Sequence, residues 1–170
     1  MRTKRVVVEP YRPAWPEEFQ IIRGELARAL GDDALAVEHV GSTAVEGLAA
    51  KPIIDIDAVI PAGRFAAVRE KLAQIGYRHE GDLGIAGREA FQYSGKVHLM
   101  KHHLYVCYED CPALHRHLTF RDWLRTHPED RDFYGAVKTD LAARFPGDID
   151  GYMAGKAPCI EAIYQKCGLL

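Results

Sequence analysis

Apolar residues recur at helical spacing in two stretches of the first half of the chain. In each stretch they lie three or four positions apart, which is typical of the buried face of an α-helix. The first set comprises Phe19, Ile22, Leu26 and Leu30, and the second comprises Phe65, Val68, Leu72 and Ile75. Pro16 suits the first turn of the first helix, and Gly31 and Gly76 are placed to end the two helices.

Short segments rich in β-branched residues alternate with these helices and predict strands. Their ranges are 5–9, about 35–40 and about 53–60, and two further strands flank the turn signal Ser94-Gly95-Lys96. Glycine-containing segments separate them: residues 42–52 are predicted as a turn or short helix, and residues 80–89 as a loop.

The sequence has a helical pattern from Pro112 onward. The first helix carries Leu114, Leu118 and Leu124 and breaks at His127-Pro128. Two more helices are predicted over 129–144 and 148–167, the last of them kinked or interrupted at Pro158. Together the elements predict an α+β fold in one domain over 1–170: a mixed sheet flanked by helices over about 1–110, with a helical tail over about 111–170 packed on it.

Composition narrows the class of protein. The 170 residues are 48% hydrophobic and 27% charged, which fits one globular domain with its own core. The formal net charge of -2 provides no overall positive potential, so nucleic-acid binding is not expected. The apolar runs are too short to span a bilayer, and the N-terminus lacks the apolar segment of a secretory signal. The four cysteines form no CxxC pair and are expected to be reduced thiols of a cytoplasmic protein.

Two aspartates, Asp55 and Asp57, lie inside the apolar segment 53–60. Residues two apart on a strand project to the same face, and two carboxylates there repel each other unless a cation lies between them. Carboxylate oxygens suit Mg²⁺ or Mn²⁺, and Mg²⁺ commonly takes one or two carboxylates together with substrate phosphates. The alternative is a D-x-D at a solvated strand edge, with each aspartate simply hydrated.

A Gly-Ser pair precedes this strand. At Gly41 the backbone allows a phosphate to approach closely, while turn N–H groups and the Ser42 hydroxyl can donate to it. Lys51 adds a positive charge nearby. The segment is not a P-loop, because no lysine follows Gly47.

The combination of Gly41-Ser42 with Asp55-Ile56-Asp57 resembles the active-site signature of the polymerase-β-like nucleotidyltransferase superfamily. The segment EHVGSTAVEGLAAKPIIDI, at 38–56, resembles one branch more closely, the GrpB family of the UPF0157 type. Other matching parts are GIAGR at 84–88, KHHLYV at 101–106, HLTFRDWLRTHP at 117–128, and Tyr134, Lys138, Tyr152 and Lys156. The resemblance implies a nucleotidyltransferase-like mixed sheet with a C-terminal helical part.

The resemblance also implies roles for individual residues. Gly41 and Ser42 would meet the nucleotide phosphates, and Asp55 and Asp57 would hold Mg²⁺. Members of the superfamily usually have a third carboxylate on a neighbouring strand.

The candidate neighbouring strand, HHLYV, has no acidic residue and places His103 and Tyr105 on one face. Tyr105 stands where the GrpB pattern commonly has a histidine, and Glu46 where it commonly has a proline. His103 is predicted to act as a substitute base or as a metal ligand.

Basic residues outside the central motif are further candidates. The residues predicted to bind phosphate or carboxylate are Arg88, Arg121, Arg125, Lys138 and Lys156, and Arg88 lies in a glycine-flanked loop. The alternative for the helical tail is a solvated charged surface. A zinc site at Cys107, Cys111, His115 and His117 is disfavoured, because the spacing fits no standard finger.

These features predict a Mg²⁺-dependent nucleotidyltransferase-like protein that transfers a nucleotidyl group from a nucleoside triphosphate to an acceptor, with pyrophosphate as leaving group. Two alternatives stay open: a non-catalytic binding module for a nucleotide or coenzyme-A-type ligand, and a metal-dependent phosphohydrolase that uses His103. The acceptor, the base preference and the oligomeric state are not determined by the sequence.

Overall fold

The computed structural model describes residues 5–170. Within them, five helices and five strands follow the chain. These are α1 Ala14–Leu30, β1 Ala36–Val40, β2 Ile54–Ile60, α2 Phe65–Gln74, β3 Tyr77–Gly81, β4 Arg88–Tyr93, β5 His102–Tyr108, α3 Pro112–Thr126, α4 Pro128–Arg144 and α5 Ile149–Lys166. Short 3-10 turns cover Gly31–Asp33 and Ser42–Ala44.

The five strands form one mixed sheet in the order β1-β2-β5-β4-β3. The central strands β2 and β5 are parallel, and the other neighbours are antiparallel. Their register pairs Asp55 with His103 and Asp57 with Tyr105. Directly paired residues project to the same face, so all four side chains leave the sheet on one side.

The opposite face of the sheet carries the main apolar core. Ile54, Ile56 and Ala58 of β2 alternate with the two aspartates and are fully buried. They pack in one cluster with side chains of α1 and α2, including Ile22, Leu26, Leu30, Val68 and Leu72. Burial of each large aliphatic side chain stabilises the fold by roughly 1.5–3 kcal/mol.

The helical tail packs on the α/β part, as predicted. Val45 and Leu48, from the loop after β1, share a buried cluster with Leu124 of α3, Tyr134 of α4 and Ile163 of α5. Helix α3 also contacts β1 and β5. The predicted α+β architecture is therefore confirmed.

Three local predictions differ from the structure. Residues 5–9 form no strand: Glu9 makes an isolated bridge to Ala50, and the Val6 N–H bonds to the Pro146 carbonyl. Strand β3 was not predicted, because as a half-exposed edge strand with sequence YRHEG it lacks an apolar pattern. Helix α5 is not interrupted at Pro158, one of the two predicted alternatives, because this residue lies on the exposed side where water can solvate the freed backbone.

None of the helices in residues 5–170 is both long and apolar enough to cross a membrane. All four cysteines are free, and three of them are buried: Cys107, Cys111 and Cys159.

The contact between α4 and α5 generates a prediction about two helical glycines. A Cβ at Gly155 would overlap the buried Leu141 side chain, whereas a Cβ at Gly135 would make ordinary contacts, the nearest 3.4 Å from Leu48. Gly135→Ala should be neutral or stabilising by up to about 1 kcal/mol, because alanine favours helices. Gly155→Ala should unfold about 1–3 kcal/mol more easily than Gly135→Ala, because of overpacking. Equal urea midpoints for the two variants would contradict this packing.

Candidate active site

The two aspartates of β2 project to the same face, but their surroundings differ. The side chain of Asp55 is 34% exposed, and that of Asp57 is fully buried. Asp57 Oδ2 accepts a hydrogen bond of 2.6 Å from Nδ1 of His117 on α3, and its Oδ1 has no partner. Asp57 therefore lies beneath α3, whereas Asp55 faces the cavity described below.

One face of α3 holds this helix against the site through residues spaced by four. After His117, Arg121 donates to Glu38 at 2.7 Å and to the His39 carbonyl at 3.1 Å. One turn further, Arg125 Nε donates to the Ala44 carbonyl at 2.9 Å. Arg121, which was predicted to bind substrate, thus donates its hydrogen bonds to groups of the protein itself, including the neighbouring Asp122.

Asp55 is fixed from two sides. His103 Nδ1 donates to Asp55 Oδ1 at 3.0 Å, and because a carboxylate only accepts, the proton on this nitrogen belongs to the histidine. On the other side lies Gly41, with a positive φ of 74°. A Cβ at Gly41 would overlap the Asp55 carboxylate, so only glycine fits this position.

The turn after β1 is held by a buried polar chain. His39 Nε2 donates to Thr43 Oγ1 at 2.9 Å, and the Thr43 hydroxyl donates to the Ile53 carbonyl. Burial lowers the pKa of His39 to about 4, so its ring is neutral at physiological pH. The ring also stacks on Phe19, with centroids 4.6 Å apart. This chain positions Ser42 without placing a charge behind it.

A cavity of about 290 Å³ opens beside Asp55. Its wall combines the turn after β1, the amino ends of β2 and β5, and helices α4 and α5. The lining residues are Ser42, Thr43, Ala50, Lys51, Ile53, Asp55, His103, Lys138, Tyr152, Met153 and Lys156.

Three lysines line this cavity, and we call them the lysine cluster: Lys51, Lys138 and Lys156. Lys138 is only 2% exposed, and its Nζ has no hydrogen-bond partner. Lys51 and Lys156 both lie over the ring of Tyr152, at 4.7 and 4.8 Å from its centroid. Lys138 lies 4.5 Å from the ring centre of Tyr134. The aromatic faces partly compensate the positive charges.

Burial and mutual repulsion lower the pKa values of these lysines. The pKa of Lys138 falls to about 7, because burial and then the charge of Lys156 disfavour the ammonium form. Burial likewise lowers the pKa of Lys156 to about 8 and that of Lys51 by a smaller amount. Asp55 acts in the opposite direction on all three. A bound anion would do the same, so the cluster favours an anionic ligand.

The predicted site residues thus fall into two groups. Ser42, Lys51, Asp55, His103 and Lys138 meet in the cavity, with Gly41 packed behind Asp55. The others do not line it: Asp57 lies under α3, Arg121 is paired with Glu38, and Arg88 and Tyr105 lie farther along the same sheet face.

Two further residues have a place in the site. Lys156, one of the basic candidates for phosphate binding, completes the lysine cluster. His117, considered from the sequence only as part of a disfavoured zinc site, binds Asp57. The spacing of Tyr152 and Lys156, four apart on one helix, is a signal that predicts a shared face for these two. No comparable signal links His117 to Asp57, because their contact depends on how α3 crosses the sheet.

A hard cation fits the carboxylates of this site. The unpaired Asp57 Oδ1 is a buried anionic oxygen without compensation, and Asp55 lies on the same face. Within residues 5–170, no group of three or more His, Cys, Asp or Glu side chains is arranged to hold a metal. Mg²⁺ does not need such a group, since water and substrate phosphates commonly complete its coordination.

The fold is similar to that of a solved nucleotidyltransferase. It is similar to the crystal structure of the Cid1 poly(U) polymerase with MgGTP bound, with a TM-score of 0.55 over 76% of this chain and 43% of that chain. The sequence identity is only 16%, so this likeness concerns the fold. The predicted nucleotidyltransferase-like architecture is confirmed.

The chain belongs to the GrpB family, whose sequence model, described as GrpB protein, matches residues 5–166. The crystal structure of the conserved protein GrpB from Enterococcus faecalis is 31% identical, with a TM-score of 0.76 over 93% of this chain and 99% of that chain. The UPF0157 protein YqkA of Bacillus subtilis is 37% identical over 166 residues, which are 96% of this chain. This chain spans about half, 47%, of the length of YqkA.

The burial of Lys138 generates a prediction about stability. Its pKa is about 7 in the folded protein against an ordinary 10.5, so between these values the unfolded chain binds more protons. The cost of burying Lys138 is therefore largest below about pH 7 and decreases as the pH rises toward 10.5. Lys138→Met removes this cost and should stabilise the protein at about pH 6 by up to about 4 kcal/mol, and by less at about pH 9.5.

Urea unfolding at the two pH values measures this difference. Lys101→Met, at an exposed position, serves as control and should change the free energy of unfolding little at either pH. A Lys138→Met variant that is less stable than the wild type at low pH would show that the ammonium group is well compensated.

Proposed function

We propose that this chain binds the phosphate groups of a nucleoside triphosphate in the lysine cluster and transfers the nucleotidyl group to an acceptor hydroxyl. The observation that supports this most directly is the meeting of three lysines with Asp55 and His103 in one cavity. Lysines supply charge and donors for phosphate, while the carboxylate and imidazole supply groups that phosphoryl transfer needs.

The cluster suits a polyphosphate better than a neutral ligand. Lys138 Nζ is buried without a hydrogen-bond partner, and an unsatisfied group of this kind costs roughly 1–3 kcal/mol or more. Phosphate oxygens provide the missing acceptors. The volume of about 290 Å³ lies at the lower end of ligand pockets, so the cavity takes the phosphate tail and leaves the nucleoside outside.

Asp55 and Asp57 are the residues that would hold Mg²⁺ or Mn²⁺, with the unpaired Asp57 Oδ1 as one oxygen donor. Such an ion would neutralise charge that develops on phosphoryl oxygens. The His117 hydrogen bond holds the Asp57 carboxylate in place under α3.

The side chains of this chain account for positioning and proton transfer. Ser42 and the lysine cluster hold the phosphates, and the cluster stabilises the pyrophosphate that leaves. The acceptor oxygen forms a bond to the α-phosphorus, and the bond from that phosphorus to the bridging pyrophosphate oxygen breaks. The acceptor proton goes to His103 Nε2, which carries the ring's free electron pair because Nδ1 donates to Asp55.

One observation favours a second function, that of a non-catalytic binding module. Both aspartates are already hydrogen-bonded to histidines, so the site balances its charges in part without a cation. The module would bind a nucleotide or coenzyme-A-type ligand in the same cavity without turnover. Release of pyrophosphate that depends on an acceptor supports the transferase, release of phosphate with water alone supports a hydrolase, and binding without either supports the module.

The role of Asp55 generates a prediction in which the effect of Asp55→Ala on triphosphate affinity depends on whether the metal ion is present. With Mg²⁺ or Mn²⁺, the wild type should bind an α,β-methylene triphosphate at least about tenfold more tightly than without the ion. Asp55→Ala should lose this gain, because a carboxylate ligand is missing. Without the ion, Asp55→Ala should bind the triphosphate as tightly as the wild type or more tightly, since a negative charge has been removed.

Titration calorimetry with and without Mg²⁺ measures these affinities. Asp140→Ala is the matched control, because its carboxylate is 66% exposed and pairs with Arg144 away from the cavity. The metal site is ruled out if Mg²⁺ strengthens binding equally in the wild type and in Asp55→Ala.

His103 separates catalysis from binding. If it accepts the acceptor proton, His103→Ala should lower turnover by about 10²–10⁴ and leave triphosphate affinity nearly unchanged. Turnover is measured as pyrophosphate release from each common nucleoside triphosphate, with glycerol, glycerate and glycerol 3-phosphate as acceptors. His98→Ala, whose ring is more than half exposed and contacts Glu25, is the control. A His103→Ala variant that is only less stable, with unchanged activity per folded molecule, would leave His103 a structural role.

A further inference from the structure

An arginine and a tyrosine form a second polar feature on the same face of the sheet. Arg88 pairs with Cys107 across β4 and β5, and Ala90 pairs with Tyr105, so both side chains project to the side of Asp57. The Arg88 guanidinium lies over the Tyr105 ring, 4.1 Å from its centroid. Both side chains are half-buried, and we call this pair the Arg88–Tyr105 platform.

Arg88 has unused hydrogen-bonding capacity. Its Nε is buried without a partner, and among residues 5–170 its guanidinium makes no hydrogen bond or ion pair. By contrast, Arg121 and Arg131 on the helical tail both donate to carboxylates and backbone carbonyls. A guanidinium presents donors in a planar fork that matches a carboxylate or a phosphate, so an anion is the ligand that satisfies Arg88.

The backbone before Arg88 is held in place. Gly87 has a positive φ of 80°, and a Cβ there would lie only 3.2 Å from Cys111 Sγ. The Tyr108 N–H donates to the Gly87 carbonyl, and the Arg88 N–H to the Ile85 carbonyl. Because these contacts position the start of β4, Arg88 is a built part of the sheet face rather than a mobile surface arginine.

His103 lies between the platform and the lysine cluster. It lines the cavity with the three lysines, and its ring centroid is 6.5 Å from that of Tyr105. Neither Arg88 nor Tyr105 lines that cavity. In phosphoryl transfer the attacking and leaving oxygens lie roughly in line on opposite sides of the phosphorus. If pyrophosphate leaves toward the lysines, the acceptor approaches from the platform side.

We propose that Arg88 and Tyr105 form the acceptor subsite, and that the acceptor is a hydroxyl compound that also carries a carboxylate or a phosphate. Arg88 binds this anionic group in a bidentate manner, Tyr105 supports the guanidinium, and the hydroxyl then faces His103. This inference rests on the proposed function, since an acceptor is defined only relative to a bound triphosphate.

Binding of small probes to the wild-type protein tests the subsite. The lysine cluster is first saturated with an α,β-methylene nucleoside triphosphate, so that anions cannot enter it. Glycerate, glycerol 3-phosphate and glycerol are then titrated, which separates a carboxylate, a phosphate and a neutral group on similar carbon chains. We expect glycerate or glycerol 3-phosphate to bind saturably, and glycerol not to bind.

Variants assign the binding to Arg88. Arg88→Gln should weaken the anionic probe by about 10–100-fold, the value of a charge-assisted pair, and Arg88→Lys should show an intermediate loss. Both should leave triphosphate affinity unchanged, and thermal unfolding confirms that they fold. Arg144→Gln, which removes a largely exposed guanidinium, is the control for net charge.

Several outcomes would overturn the subsite: equal probe affinity in wild type and Arg88→Gln, equal binding of glycerol, or no saturable binding of either anion. Failure of the proposed function gives a different result: the triphosphate does not bind, or its affinity is the same in the wild type and in Lys138→Met. In that case the anionic probes are titrated into the free protein. Binding that is lost in Arg88→Gln still supports an anion site at Arg88, and no such binding overturns that site too.

Discussion

Burial of the Asp57 carboxylate is the constraint on which the arrangement of this face depends. A carboxylate removed from water is costly unless hydrogen bonds compensate it, and Asp57 obtains one from His117 at 2.6 Å. That bond requires α3 to cross the sheet at one position. Directly opposite Asp57 on β1 lies Glu38, whose charge is met by Arg121, one turn after His117. Helix α3, which covers the acidic strand, therefore also carries His117 and Arg121, the two groups that compensate these carboxylates.

The same constraint arranges charge across the face. The carboxylates lie in the middle, on β2, with the lysine cluster on one side and Arg88 beyond Tyr105 on the other. Positive groups that face the carboxylates are attracted to them, yet Lys138 and Arg88 make no ion pair with a described residue. The histidines instead bind one oxygen of each aspartate, and the donors of Lys138 and Arg88 remain without a partner. Electrostatic preorganisation of this kind precedes ligand binding and lowers its cost.

Periodicity predicted the elements that are buried on one regular face and missed those that are not. Helices α1 and α2 carry an apolar stripe, and β2 is an apolar segment interrupted only by its two aspartates, so the sequence was sufficient for them. Strand β3 pairs only at one edge, and its register shifts at His79, so it has no such pattern. The site shows the same division. Same-face projection of Asp55 and Asp57 follows from strand geometry, whereas burial of Asp57 follows from the path of α3, which no local pattern encodes.

The atoms that the protein leaves unsatisfied define the kind of ligand that the site requires. Within residues 5–170, three buried side-chain atoms lack a hydrogen-bond partner: Asp57 Oδ1, Arg88 Nε and Lys138 Nζ. Buried polar groups are normally paired, and these three lie on or beside one sheet face. Asp57 Oδ1 is an acceptor that a cation would satisfy, and Arg88 Nε and Lys138 Nζ are donors that anions would satisfy. A ligand set of metal, polyphosphate and anionic acceptor satisfies all three, which is why the fold's resemblance to nucleotidyltransferases and the local chemistry lead to the same proposal.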